Sequence, residues 1–472
     1  MTTARRLSIA HLSIVSVLLL AACTNTPLPT LAPTDVPATF DQAMPGAAPL
    51  WPAPNWWQEF SDPQLSQLIA TAQSSNLDIA QAEARLRQAD ARARQAGAAL
   101  LPTVNLNGAV NSLYGRVGST SQSETDYSAA LGASYELDFW GKNRDAADAA
   151  KAALTASDAD RATVALTVTA SVADSYFQLL ALRDRIATAR ADLKSNQDIL
   201  ALVQRRANAG YAAAADLIQQ RAVLAAQEAA LPALEQQELE TRSALVILLG
   251  RPPEGFAVTG DGLGAIAPPM VSPGLPSALL TRRPDIATAE ANLKAAHADL
   301  AAARVAFLPD ITLTATGGVA YPALAAAVNT LPGVGLAAGL GANLVQAIFD
   351  GGKIAAKTEE AKAREEELLA AYRAAVIAAF SDVENALGNV THLAAQQAAL
   401  REQVTQAEKV LSAAQRKYQA GYSDFLTVTD AERSLYQARD QLSDIRRANL
   451  AASVALFKAL GGGWTKPEDT AR

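Results

Sequence analysis

The chain has 472 residues, half of them apolar, a formal net charge of −7 and three histidines, yet its mean hydropathy is only +0.07 because much of the apolar count is alanine. An acidic balance with Lys and Arg dispersed along the chain argues against a nucleic-acid binder, and a single cysteine leaves no partner for an intramolecular disulfide. Beyond the first 22 residues no apolar run reaches about 18 residues, so no transmembrane helix is expected, and any crossing of a bilayer would have to use strands.

Taken in order, the chain opens with Arg5 and Arg6, an apolar stretch from Leu12 to Leu20, and Leu20-Ala21-Ala22-Cys23. Residues 1–22 read as a secretory signal leading directly into Cys23; an ordinary cleavable signal with an incidental thiol is the other reading. Residues 23–54, rich in Pro, Thr and Ala, read as an extended tether. The remainder says nearly the same thing twice. Asp78-Ile79 recurs as Asp285-Ile286, Leu101-Pro102 as Leu308-Pro309, Ala209-Gly210-Tyr211 as Ala420-Gly421-Tyr422, and Leu249-Gly250 as Leu460-Gly461. The expected division is a first repeat over 55–250, a linker over 251–275, a second repeat over 276–464 and a tail over 465–472. Two copies make a pseudo-symmetric subunit, since an open array would need about three or more.

Each repeat carries two strand patterns. Val104, Leu106 and Val110 alternate with Asn105, Asn107 and Asn111; after a loop rich in Gly, Ser and Thr, the stretch from Tyr127 to Phe139 places Ala129, Leu131, Ala133, Tyr135, Leu137 and Phe139 on one face and Ser128, Gly132, Ser134, Glu136 and Asp138 on the other. In the second repeat Ile311, Leu313 and Ala315 alternate with Thr312, Thr314 and Thr316, and Leu336, Leu340 and Leu344 share one parity. Strands of about ten residues suit an oblique bilayer crossing, although ordinary surface hairpins have the same pattern. Four strands cannot close a barrel, so spanning lipid would require several chains to pool them.

Very long helices follow the strands. The stretches 143–208 and 354–419 hold no proline and one glycine, Gly388, and each would make about 100 Å of helix. Leu400, Val404, Ala407, Leu411, Ala414 and Tyr418 form a heptad seam, and Val428, Ala431, Leu435, Ala438, Leu442 and Ile445 continue it after Gly421. An antiparallel hairpin bending at Gly421 is expected, with a matching one at Gly210. Pro232 is expected to break or kink the returning helix of the first hairpin.

Trp56-Trp57-Gln58-Glu59-Phe60-Ser61-Asp62-Pro63, Arg282-Arg283-Pro284-Asp285-Ile286, Phe307-Leu308-Pro309, Ile348-Phe349-Asp350-Gly351-Gly352 and Leu456-Phe457-Lys458-Ala459-Leu460-Gly461-Gly462-Gly463-Trp464 span the mature chain in order. This layout resembles the TolC-type outer membrane factors, in particular the NodT-like efflux lipoproteins. The resemblance implies a mainly α chain whose coiled-coil hairpins build an α-barrel and whose four strands contribute to a trimeric twelve-stranded membrane β-barrel. It implies a homotrimeric, passive exit duct in the outer membrane, lipid-anchored through Cys23. That duct would work with a periplasmic adaptor protein and an inner-membrane transporter of a tripartite efflux pump carrying drugs or toxic compounds. It also implies a periplasmic aperture at Asp430, with Arg433 one turn later and Thr427 where some members carry a second acid, and hairpin tips at Gly210, Tyr211, Gly421 and Tyr422 that meet the adaptor. A solvated helix face is the alternative for Asp430 and Arg433, and simple turns for the glycines. A duct for type I protein secretion and a non-channel periplasmic spacer are competing functions. No cofactor, metal site or catalytic constellation emerges: His297 and His392 lie far apart, and Asp350-Gly351-Gly352-Lys353 lacks phosphate-loop spacing.

Overall fold

A computed structural model describes residues 36–42, 51–264, 266–270, 274, 276–321 and 335–466. The chain divides into two compact units. One comprises residues 86–157 and 289–373, and the other the remaining described residues. Equivalent helices of the two repeats have equal lengths. Helices α2 (Leu77–Ala98) and α6 (Pro284–Val305), the latter preceded by the short α5 (Leu279–Arg282), have 22 residues each, α3 (Lys142–Asn208) and α7 (Lys353–Gln419) have 67, and α4 (Ala214–Leu248) and α8 (Phe425–Ala459) have 35. The expected long helices are present to within a residue at their starts.

The first unit holds one antiparallel sheet in the order β1-β2-β3-β4, with β1 Thr103–Val117, β2 Thr120–Leu137, β3 Asp310–Tyr321 and β4 Gly335–Val345. The strands β1 and β2 have 15 and 18 residues, longer than the ten expected. The Ser- and Thr-rich segment anticipated as a loop pairs almost to its end, Val117 opposite Thr120. Thr favours strands, and cross-strand pairing carries the intervening Ser and Gly with it despite their loop character. Carboxylates start the two long helices: Asp138 accepts the backbone N–H groups of Asn143 and Arg144 (both 2.9 Å), and Asp350 those of Gly352 (2.9 Å) and Ile354 (2.7 Å). Each satisfies donors that the first turn leaves unpaired and sits at the positive end of the helix dipole.

The second unit is built around a core of Trp56, Phe60, Leu65, Ile69, Tyr176, Phe177, Leu245, Leu249 and Phe457, among others. Trp56 stacks on Phe457 with centroids 5.0 Å apart, and truncating a buried aromatic of this kind costs about 3–5 kcal/mol. The helix α1 (Pro63–Ser75) is capped by Asp62, which accepts the Leu65 N–H at 2.9 Å and, with its other oxygen, the Tyr176 hydroxyl at 2.9 Å. Within the segment expected as a tether, Phe40 is buried against Leu279, Val383, Leu387 and Leu456, and the N–H groups of Asp41 and Gln42 donate to the Glu384 carboxylate. Trp51 lies at the edge of that cluster beneath the Arg282 guanidinium.

The repeat also explains the two Leu-Gly markers. A Cβ on Gly250 would lie 2.1 Å from the Ser75 carbonyl oxygen, and one on Gly461 would lie 1.9 Å from the equivalent oxygen of Arg282; both glycines have positive φ. Beside these contacts, Asn76 donates to the Leu248 carbonyl (2.8 Å) and Arg283 to the Ala459 carbonyl (3.1 Å). The same joint is thus sealed in each copy, by an amide in one and by a guanidinium held by Asp285 and Asp382 in the other.

Two expectations need correction. Pro232 neither breaks nor ends α4, which runs through it as one helix. Pro232 and Glu228, whose carbonyl loses its donor, are both exposed, so water can satisfy that group. The helix α3 also holds a stretch long and apolar enough, by composition, to cross a membrane, and 56% of that stretch is buried within the protein. Its apolar character comes from Val168, Val172, Ala173, Phe177 and Leu180, which belong to the core of the second unit.

Candidate functional site: a two-faced sheet and the hairpin tips

Register decides which strand residues share a face. Leu106 opposes Leu131, which opposes Gly317 and through it Ala338; Val104 opposes Ala133, then Ala315 and Leu340; Leu137 opposes Ile311, then Leu344. These residues form one apolar face. On the other face Asn105 opposes Gly132 and Thr316, Asn107 opposes Ala130, and Ser134 lies beside Thr314. The apolar face is open: Leu106 is 75% exposed, Leu131 57% and Leu340 91%. Among the described residues β1 and β4 each pair on one side only. An apolar face without a core, backed by a polar face and bounded by two unpaired edges, is unstable as a free sheet in water. It suits a barrel wall with lipid outside and water within.

In the second unit the four long helices α3, α4, α7 and α8 reverse at Gly210 and Gly421, both at φ +78°, with open space where a Cβ would be. A residue without a side chain takes this left-handed turn without strain. Tyr211 and Tyr422 follow them, 78% and 86% exposed. The heptad seam is real, with Ala414, Tyr418, Val428, Ala431, Leu435 and Ala438 all buried. Near the tips Val203 and Leu217 of the first hairpin pack with Tyr418, Phe425 and Val428 of the second. The Arg206 guanidinium lies 4.5 Å over the Tyr418 ring and donates to the Tyr418 carbonyl at 2.7 Å. Burial of the ring pushes the Tyr418 hydroxyl pKa up, with the Arg206 charge opposing.

Of the residues anticipated at the aperture, Thr427 is bound to the helix cap. Asp424 accepts both its N–H (3.1 Å) and its hydroxyl (2.6 Å), and these bonds hold the Asp424 carboxyl below its usual pKa. Asp430 and Arg433 are exposed and pair with each other within the chain. Cys23 lies outside the described residues.

Heptad logic missed the group next to them. Glu432 turns away from Asp430 toward α3 and α4, its two carboxylate oxygens buried without a hydrogen-bond partner. Burial, reinforced by the charge of Asp192, pushes its pKa up to about 7. Asp192 itself is raised by burial, with Arg439 opposing. Arg439 lies 3.8 Å from Asp192 and 2.8 Å from Glu408, and Arg185 clasps Asp440 at 2.6 Å, so ion pairs tie α3 and α7 to α8. An acid at a seam-flanking position looks solvated in the sequence; only a second acid beside it, 240 residues away, reveals its setting.

The family model described as "Outer membrane efflux protein" matches residues 68–251 and 275–462, the two repeats. The chain is 41% identical to the pyoverdine export outer membrane protein OpmQ of Pseudomonas putida, over the full length of both. It is 29% identical to the probable outer membrane lipoprotein SilC of Salmonella typhimurium, covering 96% of this chain and 99% of that one. Among solved structures, the outer-membrane channel OprN superposes with a TM-score of 0.86 at 28% identity, covering 94% of this chain and 100% of that one.

Proposed function

Because the chain belongs to the outer membrane efflux protein family, a family of non-enzymatic transport ducts of the outer membrane, we propose that three copies pool their strands into one twelve-stranded barrel. Their helical hairpins would then form the duct of a tripartite pump, joined through a periplasmic adaptor to an inner-membrane transporter. The observation that carries this reading is the sheet, which among the described residues has four strands, an exposed apolar face, a polar reverse face and two unpaired edges. Three such sheets, edge to edge, remove the edges, put the apolar faces in lipid and line a bore with Asn, Thr, Ser and Gly. Flow through such a bore needs no chemistry; the transporter supplies the energy.

The aperture would lie near the tips, with Asp430 and Arg433 holding it shut and Gly210, Tyr211, Gly421 and Tyr422 meeting the adaptor. Replacing Asp430 and Arg433 together by alanine is expected to raise single-channel conductance in planar bilayers at least twofold, and unchanged conductance would remove the latch from the account. The cargo is proposed to be that of OpmQ. Expressed in Pseudomonas putida lacking its own OpmQ, the chain should restore secreted pyoverdine; failure despite normal outer-membrane levels would point to another cargo. Cys23 is proposed to carry the lipid anchor, as SilC's description suggests for that relative, and a Cys23→Ser chain that still incorporated labelled palmitate would contradict this.

A further inference from the structure

Set back from the tips along the hairpins is a cavity of about 430 Å³ walled by α3, α4 and α8, lined by Ala189, Asn196, Val223, Gln227, Glu432 and Tyr436, among others. The volume lies in the range of small-molecule sites, and Ala189, Val223, Ala226, Ala230 and Tyr436 give the wall an apolar portion, the rest of the lining being polar. The polar atoms there are unbalanced in one direction. Both oxygens of Glu432 and the Oε1 of Gln227 are buried without a partner, as is Oδ2 of neighbouring Asp192. Asn196 accepts from fully buried Gln220, whose own Oε1 also lacks a donor. All five are acceptors, and three of them, both Glu432 oxygens and the Gln227 Oε1, belong to residues of the wall. Buried acceptors without donors cost about 1–3 kcal/mol each, more when charged, so the cavity is built to receive a donor.

The cations nearby are already engaged. Arg433 is part of the wall but pairs with Asp430, Arg439 lies between Asp192 and Glu408, and Arg185 holds Asp440. Among the described residues no three His, Cys, Asp or Glu side chains converge as metal ligands, and the apolar portion of the wall would leave part of a hydrated ion's shell without partners. We infer that this cavity is a binding site for an amphipathic organic monocation, its ammonium on the Glu432 carboxylate and its apolar body against Val223, Ala226 and Tyr436. Such an occupant would touch α3, α4 and α8 at once and so fasten the first hairpin to the helix that carries Asp430. Every wall comes from one chain, so the inference does not rest on the proposed trimer or cargo.

Charge governs occupancy. Glu432 must be ionised to pair with an ammonium, and its pKa of about 7 places that change between pH 6 and 8. The groups around it that could alter this are Asp192 and Arg185 on α3, Glu408 on α7, and Asp430, Arg433, Tyr436, Arg439 and Asp440 on α8; α4 presents Gln219 and Gln227 to the cavity.

The test is a fluorescence titration of the full-length protein in detergent with dansylcadaverine, a primary ammonium on an apolar body, against its neutral counterpart N-pentyl dansylamide. At pH 8 the cation should bind saturably and at least tenfold more tightly than the neutral probe. Glu432→Gln, whose fold is checked by its helical circular dichroism, should lose that tenfold, and wild type should lose it at pH 5.5. Ala226→Trp, which fills the cavity and leaves Glu432 in place, should abolish binding. Equal binding of the two probes, or of wild type and Glu432→Gln, would mean partition into micelle or surface only and would overturn the site. Unchanged binding to Ala226→Trp would equally remove it from this cavity.

Discussion

Placing arginine at Leu131 asks directly what the apolar face of the sheet meets. Leu131 sits near the middle of the span where all four strands pair, opposite Leu106 on β1 and Gly317 on β3, and is 57% exposed in the single chain. If that face lies in lipid, an arginine near the bilayer midplane costs about 2–4 kcal/mol per strand. In a threefold assembly the cost recurs three times, about 6–12 kcal/mol, comparable with the 5–15 kcal/mol by which a native protein is stable. Asn107→Arg provides the contrast, because Asn107 pairs with Ala130 on the polar face, where a charge meets water and should change stability by about 0.5 kcal/mol or less. The assay is the fraction of each variant recovered as heat-modifiable oligomer from outer membranes, followed by urea titration in liposomes. Leu131→Arg should be largely lost and Asn107→Arg recovered as wild type. Equal recovery of both, as for a solvated surface hairpin, would refute the assignment of faces.

Two further outcomes are expected. Gly461→Ala and Gly250→Ala should each lower stability by more than about 2 kcal/mol, read as a fall in chemical-denaturation midpoint, because each adds a Cβ about 2 Å from a backbone oxygen in a left-handed conformation that alone costs about 1–2 kcal/mol. Gly264→Ala, with open space around it, should be neutral. The raised pKa of Glu432 gives a pH signature: the folded state favours the protonated acid, so its contribution is intact below about pH 4.5 and is lost as pH rises through about 7. Glu432→Gln should therefore melt higher than wild type at pH 8 and converge with it by about pH 4, and identical melting at both values would show that the carboxyl is solvated.

Much of this fold was legible because long helices and alternating strands write simple periods. Lys142 and Lys353, Gly210 and Gly421, and Gly250 and Gly461 are each 211 positions apart, a constant offset that uninterrupted long helices would produce, and α3 and α7 do have 67 residues each. The strand faces followed from the parity of Leu106, Leu131 and Leu313 alone. What was not legible depends on contacts between distant segments. Pro232 passes through a helix because its side of α4 faces water; Phe40 docks because Leu279, Val383 and Leu456 leave it a pocket. Thr427 is bound by Asp424, a cap that Ala213 cannot supply at the equivalent first-repeat position, where Asp216 instead reaches back to the Ala213 N–H. Glu432 looked like one more surface acid because periodicity reports which face a residue occupies, not which charge stands opposite.

The most direct measurement combines native mass spectrometry of the detergent-extracted protein with planar-bilayer recording of the same sample. The account predicts particles of three chains that insert as discrete, ion-conducting steps. A single-chain particle that leaves the bilayer silent would contradict it.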